Sequence, residues 1–527
     1  MKGNGKKRTG WKIAFFVLLA LVVIFIVWLI LPDNEDKNAA KHGASAHVNT
    51  KDLTIEDVVR SSKASIIGNG KDKVTVMLYM NGSDLESDDG EATEDLQEMI
   101  KAGSSSNVNF LVQTMGTKKW QKTLGIASDR SQIYELSGKG LKLVKDNLGQ
   151  LDCTISSTLE NFITFGVTNY PADRYILLFW DHGGGPVYGY GYDQFQGEYD
   201  ALTIDEMQTA LNNAGVYFDF IGMDCCLMSS MEVCCALFDY CDYCVLAEDF
   251  ESGYGWEYTT WLKRLYQNTS ISTEELGKTI VDSMITANKN GGEEGILAVI
   301  DQNYMKVLYS AWVDFAYANE SDLLDNNYSR HRQRSHGGRV LPSLKDKGFF
   351  SDWYYGDSDE DYSISDYYIT DIMSLAQNVD SAESDALASA LAQTLVYVGA
   401  TSGDSNLTGI SVTLPYGDSE FYSELKTVFT NCGFDKEYIS WLGKFVDSSG
   451  SDVYYDYDIW DDEWSGWDDY EDDYDWSDWD YYYDDYDYGW CDEEYYYDDY
   501  YYDDYYYDDY YYDDHYHHNS FWDWFFW

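Results

Sequence analysis

Basic residues are scarce in this chain. Only 35 of its 527 residues are lysine or arginine, against 93 aspartates and glutamates, and the formal net charge at pH 7 is −58. Nucleic-acid-binding proteins need basic surfaces that neutralise phosphates, so this balance argues against a nucleic-acid partner. The deficit is uneven, because residues 451–527 hold 29 acidic residues and no lysine or arginine.

The chain also lacks the cysteine pattern of a disulfide-stabilised protein. Its nine cysteines are an odd number, and six of them fall between Cys225 and Cys244. Such clustering does not resemble a disulfide framework. Cys241 and Cys244 have the C-x-x-C spacing of half a zinc site, but no convincing second half accompanies them. Buried structural thiols are the favoured interpretation of this pair, and zinc is the alternative.

One uninterrupted apolar run occurs near the amino terminus, at residues 13–31. It is long enough to cross a bilayer, and the five basic residues before it favour a cytoplasmic amino terminus. We therefore predict a cytoplasmic segment at 1–12, a transmembrane anchor at 13–31 and a polar stalk at 32–72. A cleaved signal peptide ending near Ala44-Ser45-Ala46 is the alternative, although that site lies well beyond the apolar run.

The carboxyl-terminal segment, residues 451–527, consists mainly of aspartate, tyrosine and tryptophan. Its charge density, with no cation to neutralise it, favours a low-complexity tail that stays disordered in solvent. The alternatives are an acidic, aromatic arm for a basic or cell-surface partner and an aromatic surface that binds carbohydrate.

Between these terminal segments, strand-like and helix-like patterns alternate. Apolar runs of strand length occur at residues 73–80 and 107–114, with a helical pattern between them. Further on, Thr203 and Glu206 form a capping-box signature, which predicts the start of a helix. The alternation predicts an α/β fold with a mostly parallel sheet flanked by helices.

Two of the predicted strands end in reactive side chains. The apolar run 175–180 is followed by His182 and three glycines, and the run 218–223 is followed by Cys225 and Cys226. In open α/β sheets, functional groups gather at the carboxyl ends of neighbouring strands. A thiol and a base that could activate it are therefore expected to meet there.

Further motifs surround these strand ends. They are YMNGSDLES near residue 80, NYPADRYILLFWDHGGG at 169–185, LTIDEMQTAL at 202–211, D-x-C-L-M at 224–228, ESGYGWEY at 251–258 and GISVTLP at 409–415. Together they resemble the clostripain family of cysteine peptidases, which shares the caspase, legumain and gingipain type of sheet. The resemblance covers about Lys73 to Val446. It implies a peptidase domain at 73–450 whose later elements form a companion carboxyl-terminal subdomain.

The resemblance also implies roles for particular residues. Cys226 corresponds to the nucleophile and His182 to the general base, and the N–H groups of Gly183 and Cys226 correspond to the oxyanion donors. Asp224 corresponds to the acid in the pocket for the substrate residue before the scissile bond, which favours arginine or lysine there. Candidates for a second pocket acid are Glu248, Asp249 and Glu257.

Two features leave alternatives open. Cys225 stands where the family more often has alanine, so the adjacent thiol could assist Cys226, oxidise with it or replace it. The family resemblance also implies calcium dependence, but the sequence contains no EF-hand loop and the metal ligands stay unassigned.

These observations predict a membrane-anchored cysteine endopeptidase with an extracellular catalytic domain, acting on polypeptides with basic residues. The alternative is a catalytically silent surface display protein whose tail is its working part. Residues 183–225 contain no lysine or arginine, although the family commonly matures by cutting itself there. We therefore predict no self-cleavage between His182 and Cys226, and any self-processing at Arg330, Arg332 or Arg334.

Overall fold

The computed structural model describes residues 59–60, 62–196, 201–324, 369–379, 381–405, 407–416 and 418–447. The predicted membrane anchor, most of the predicted stalk, the acidic tail and the three arginines proposed as processing sites lie outside these residues. Within these ranges, no helix combines the length and the apolar character that crossing a membrane requires.

A nine-stranded sheet forms the centre of the described part of the chain, with the strand order β10-β8-β7-β6-β5-β1-β2-β3-β4. Its strands are β1 (Val74–Asn81), β2 (Val108–Met115), β3 (Gln132–Ser137), β4 (Gly140–Lys145), β5 (Arg174–Trp180), β6 (Phe218–Asp224), β7 (Cys241–Leu246), β8 (Ile296–Asp301) and β10 (Leu395–Ala400). A separate two-stranded sheet pairs β9 (Ile369–Asp371) with β11 (Ser411–Thr413). The predicted α/β class is confirmed.

The five central strands, β7-β6-β5-β1-β2, run parallel to one another. The strands at both edges add antiparallel pairings. The central strands are buried on both faces, since Met77 and Leu177 face one hydrophobic cluster while Val76 and Ile176 face the other. This explains why they appear in the sequence as continuous apolar runs instead of alternating patterns.

Helices cover both faces of the sheet. They are α1 (Glu91–Ala102), α2 (Ser156–Asn169), α3 (Gly185–Tyr188), α4 (Ile204–Ala214), α5 (Met231–Leu237), α6 (Tyr258–Gln267), α7 (Thr273–Gly291), α8 (Met305–Ala318), α9 (Glu320–Leu324), α10 (Ile372–Asn378), α11 (Ala382–Thr394), α12 (Ser419–Cys432) and α13 (Lys436–Asp447). On one face lie α1, α6 and α7. The other face carries α2, α4, α5, α8 and the later helices α10 to α13, which share one hydrophobic cluster with the sheet.

The predicted helix between the two reactive strands is α4. Its capping box is present, because the Glu206 carboxylate accepts the Thr203 N–H at 3.1 Å and the helix begins at the next residue. Gly215 ends it with a φ of 64°. This helix is the crossover that returns the chain from β5 to the start of β6, the parallel strand beside it.

The sequence patterns missed both edges of the sheet. The β3–β4 hairpin has a mostly half-buried or exposed second strand, so it lacks the apolar signal of the central strands. Residues 371–395 have a helical composition and form α10 and α11, but the chain then continues as edge strand β10 from Leu395.

Candidate active site

His182 and Cys226 follow adjacent parallel strands at equivalent positions. Trp180 of β5 is paired with Asp224 of β6, and each reactive residue lies two positions beyond its partner in that pair. The loops that follow are in contact, because a Cβ at Gly183 would overlap the carbonyl oxygen of Cys226. Gly183 is therefore required for this close approach of the two loops.

The imidazole of His182 is held by a carboxylate that the sequence patterns did not single out. Nε2 of His182 lies 2.8 Å from Oδ1 of Asp84, on the loop after β1. Only 11% of the His182 side chain is exposed. Burial alone lowers the pKa of His182, but the charge and hydrogen bond of Asp84, with the charges of Asp181 and Glu91, raise it above its ordinary value.

Asp84 is within reach because β1 lies beside β5 in the sheet. The loop after β1 is tied to the end of β5 through Asp181, whose carboxylate accepts the Ser83 hydroxyl at 2.6 Å and the amide of Asn81. Burial raises the pKa of Asp181 to about 7. The signal in the sequence was the YMNGSDLES motif, a run of polar residues at the end of an apolar strand.

Tyr192 completes the surroundings of the histidine. Its ring stacks on that of His182, with the centroids 5.9 Å apart and the planes at 30°. Its N–H donates to Asp181 at 3.1 Å, and its hydroxyl hydrogen-bonds Asp84. Tyr192 therefore contacts both members of the His182–Asp84 pair.

The thiol of Cys226 faces the loop that follows β7. Sγ accepts the N–H of Glu251 at 3.2 Å and lies 3.9 Å from the carbonyl oxygen of the same residue. Burial, followed by the charges of Glu251, Asp249 and Asp224, raises the pKa of Cys226 above its ordinary value. The thiol is therefore protonated at neutral pH and needs a base to become nucleophilic.

The two adjacent cysteines differ in accessibility. Cys225 is buried, with 2% of its surface exposed, whereas Cys226 is partly exposed. Burial raises the pKa of the Cys225 thiol well above its ordinary value. Cys226 is thus the thiol of this pair that an incoming substrate can reach.

Cys226 lies in the turn that connects strand β6 to helix α5. Helix α5 begins at Met231 and is capped by Ser230, whose hydroxyl accepts the Val233 N–H. In this turn, Leu227 has a left-handed φ of 65°. That conformation costs a non-glycine residue about 1–2 kcal/mol. The thiol therefore gains no helix-dipole stabilisation.

The backbone N–H groups of Gly183 and Leu227 directly follow the two reactive residues, His182 and Cys226. Gly183 forms a bridge with Tyr190, but the hydrogen bonds of that bridge use the N–H groups of Gly184 and Gly191. The bridge therefore does not consume the N–H of Gly183. The N–H of Leu227 is taken by the carbonyl of Asp249, so it is not available as an oxyanion donor.

Asp224, at the end of β6, is a buried carboxylate with a dense set of donors. The Tyr258 hydroxyl donates to Oδ2 at 2.7 Å, and the Trp256 N–H lies 3.2 Å from both oxygens. Burial raises the pKa of Asp224 to about 6. Gly255 lies against this carboxylate, since a Cβ there would be 3.0 Å from Oδ1.

The acid that contacts Asp224 is Glu251, which the sequence patterns did not propose. The two carboxyl groups lie within hydrogen-bonding distance of each other, and the indole N–H of Trp256 donates to Oε1 of Glu251 at 3.2 Å. The missed signal was the glutamate that opens the ESGYGWEY motif.

The three acids proposed from the sequence lie elsewhere. Glu257 caps helix α6 by accepting the Thr260 N–H at 2.8 Å. Glu248 accepts the Gly409 N–H and lies beside Asp371. Asp249 accepts the N–H of Phe250. The structure gives none of these three carboxylates a hydrogen bond with Asp224 among the described residues.

The segment between His182 and Cys226 is largely built into the core. Tyr190 is fully buried, and its hydroxyl hydrogen-bonds the carbonyl oxygens of Tyr79 and Trp180 at 2.9 and 3.0 Å. Asp193 is also buried and accepts the Cys153 N–H at 3.3 Å. Residues 197–200 of this segment lie outside the described part of the chain.

Metal binding finds no support in the described residues. The thiols of Cys241 and Cys244 are buried and lie 3.7 Å apart, and the Gln302 amide donates to Cys244 at 2.8 Å. Across the described ranges, no group of three or more histidine, cysteine, aspartate or glutamate side chains is arranged to hold an ion. The calcium dependence that the family resemblance implies therefore stays without assigned ligands in the described ranges.

Comparison with known proteins adds an independent observation. The sequence profile of the Clostripain family, Peptidase_C11, matches residues 78–524, a range that continues past Val446, where the resemblance found from the motifs ends. Clostripain of Hathewaya histolytica is 26% identical over 212 residues, which are 35% of this chain. The match spans 39% of that relative's own length.

Similar solved structures come from two other bacteria. A secreted C11 cysteine protease from Bacteroides thetaiotaomicron, in complex with an irreversible peptide inhibitor, is 18% identical, with 69% of this chain and 99% of that one covered and a TM-score of 0.48. An inactive zymogen C11 protease from Parabacteroides distasonis is 16% identical, with 71% and 97% covered and a TM-score of 0.47.

Proposed function

Because this chain belongs to the clostripain family of cysteine peptidases, we propose that it is an endopeptidase with Cys226 as nucleophile and His182 as general base. The observation that carries the proposal is the placement of both residues two positions beyond the paired ends of adjacent strands. A thiol with a raised pKa and a nearby imidazole held by a carboxylate suit general-base activation.

The reaction then proceeds in two stages. Sγ of Cys226 attacks the scissile carbonyl carbon while its proton moves to Nδ1 of His182, since Nε2 is engaged by Asp84. Asp84 stabilises the imidazolium and fixes the orientation of the ring. His182 next protonates the leaving amine. It finally takes a proton from the water that hydrolyses the acyl-enzyme, which regenerates the thiol.

The developing oxyanion needs backbone donors at the same place. We assign this role to the N–H groups of Gly183 and Cys226. The bridge that spares the N–H of Gly183 supports the assignment, as does the contact between Gly183 and the Cys226 carbonyl. Each such donor contributes about 2.7–4 kcal/mol to transition-state stabilisation in proteases.

The proposed substrate residue before the scissile bond is arginine or lysine. The pocket acid is Asp224, and the acids interacting with it include Glu251, Glu98 and Asp95. A cationic side chain would replace unfavourable interactions between buried carboxylates with charge-assisted hydrogen bonds. This composition favours a basic side chain over an acidic or neutral one.

We further propose that the chain is anchored in the cell membrane by residues 13–31, with the catalytic domain outside. The support is the apolar run and the basic residues that precede it.

The dyad is tested with the purified protein and an arginyl amide reporter. Cys226→Ala and His182→Ala should each abolish measurable amidase activity, because each removes a group that takes part in every step. Cys225→Ala is the matched control and should keep most of the activity, since its thiol is buried. Loss of activity in Cys225→Ala with retention in Cys226→Ala would overturn the assignment, and an inactive wild type would favour a display protein.

A further inference from the structure

Beneath the thiol lie two carboxyl groups in contact, and the shorter hydrogen bond from a donor goes to Asp224. Asp224 receives the Tyr258 hydroxyl and the Trp256 N–H. Glu251 receives the Trp256 indole N–H on Oε1 and a hydrogen bond from the backbone N–H of Cys225, whereas its Oε2 is shielded from solvent and has no donor in good hydrogen-bonding geometry among the described residues. Two carboxylates cannot lie this close unless a proton lies between them.

We propose that Asp224 and Glu251 share one proton in the empty pocket and that a basic substrate side chain displaces it. The proposal rests on the proposed function, because it concerns the pocket for the residue before the scissile bond. The hydroxyl of Tyr258, at 2.7 Å, stabilises the anion of Asp224 more than the 3.2 Å indole contact stabilises that of Glu251, so the proton resides on Glu251. When a guanidinium or ammonium group enters, the Glu251 O–H bond breaks and the proton leaves to solvent. Both carboxylates then bind the cation.

The surroundings of the pair oppose a second negative charge in the empty pocket. Helix α1 presents Glu91, Asp95 and Glu98 to the pair. The remaining titratable groups that face the pair are the hydroxyl of Tyr258 and the thiols of Cys225 and Cys226. The charge of His182 interacts with that of Glu91, and Glu91 in turn interacts with Asp224. An incoming cation is what makes the second ionisation favourable.

Glu251 also connects the pocket with the nucleophile. Its backbone N–H donates to the sulfur of Cys226, while its side chain contacts Asp224. Glu251 is therefore a specificity-determining residue, and it loses its proton when a basic side chain binds beside Asp224.

The proposal is tested by counting protons released when benzamidine, a small amidinium, binds the full-length protein. Calorimetry in two buffers of different ionisation enthalpy gives this count. At about pH 6, where an ordinary glutamate is already ionised, the wild type should release close to one proton. Glu251→Gln keeps a hydrogen bond to Asp224 without a releasable proton. It should release almost none and bind benzamidine about tenfold more weakly or worse, because a charge-assisted bond is lost.

Glu232→Gln is the matched control. Glu232 is another buried glutamate whose Oε2 has no hydrogen-bond partner in the described part of the chain, and it contacts Thr413 and Tyr438 instead of Asp224. Burial raises its pKa to about 7. This variant should release the same proton as the wild type. Benzamidine binding without proton release in the wild type, or equal release in Glu251→Gln, would overturn the proposal even if arginyl amides are cleaved.

A second measurement needs no ligand. A glutamate that keeps its proton in the folded state makes the protein less stable as pH rises from its unfolded pKa to its folded pKa. The Tm of Glu251→Gln relative to the wild type should therefore increase with pH over that range. A constant Tm difference would overturn the shared proton. A rising difference without benzamidine binding would keep the shared proton and reject both its displacement and the basic-residue specificity.

Discussion

At the scale of single residues, the charge balance around His182 determines how the proposed enzyme responds to pH. The imidazole is enclosed by Asp84, Asp181 and Tyr192, and the net effect of the two carboxylates is a raised pKa. The thiol also has a raised pKa. Neither residue is therefore in its reactive form at acidic pH, and activity should rise as His182 loses its proton.

Asp84→Asn should move the acidic limb of the kcat/KM profile to lower pH. Asp84 raises the pKa of His182, so its neutral replacement lets the imidazole lose its proton at lower pH. The maximal rate should nevertheless fall about 100-fold or more, because the imidazolium loses its stabilising charge. A pH profile measured with an arginyl amide checks this. A rate loss with an unshifted limb would mean that Asp84 only supports the loop.

Gly183→Ala tests the contact between the two catalytic loops. A Cβ there would overlap backbone atoms of Cys226, and backbone cannot move aside as a flexible side chain can. We expect the free energy of unfolding to fall by about 1–3 kcal/mol. The kcat value should also fall, because the proposed oxyanion donor shifts. Urea unfolding and kcat are measured together, and unchanged values of both would contradict the contact.

At the scale of elements, the site depends on the strand order. Strand β5 lies between β1 and β6, so the carboxyl ends of these parallel strands bring Asp84, His182 and Cys226 to the same end of the sheet. The loop after β7 contributes Glu251 to that end. The segment between β5 and β6 combines a crossover helix with tyrosines that contact the histidine and the core.

The burial of this segment bears on maturation. Tyr190 and Asp193 are hydrogen-bonded inside the core, and residues 183–225 contain no lysine or arginine. We predict that the active protein contains an uncut chain between His182 and Cys226. Mass spectrometry of the active wild type and of Cys226→Ala should find the same peptides across this segment. A new terminus between Gly183 and Cys225 that the variant lacks would refute the prediction and the basic specificity behind it.

At the scale of the whole molecule, the described part of the chain is an α/β unit in which the later helices share a hydrophobic cluster with the sheet. Two distinct clusters, one on each face, surround the central strands. The site lies at the carboxyl ends of those strands, as is usual for open α/β sheets.

The predicted anchor is tested in intact cells. If residues 13–31 hold the chain in the membrane with five basic residues inside, protease added outside should remove the catalytic domain while a cytoplasmic control protein stays intact. Recovery of a soluble protein with its amino terminus near His47 would indicate cleavage of this segment instead.

The sequence alone determined the elements with a strong local signal. The central strands are continuous apolar runs because both their faces are buried, and the α4 capping box needs only residues three apart. The sequence also identified His182 and Cys226, because each belongs to a family motif and lies two residues beyond the end of an apolar strand. The edge strands had no such signal, because partial exposure removes the apolar pattern.

Only the tertiary structure decided which distant residues surround the reactive pair. Asp84 precedes His182 by 98 positions, and Glu251 follows Cys226 by 25. Their contacts depend on which strands are neighbours and on the path of each loop after its strand. The same applies to Glu257, whose charge suits a pocket but whose position makes it a helix cap. Sequence patterns record spacing along the chain, whereas charges interact through space, so the acid partners could be assigned only in the folded protein.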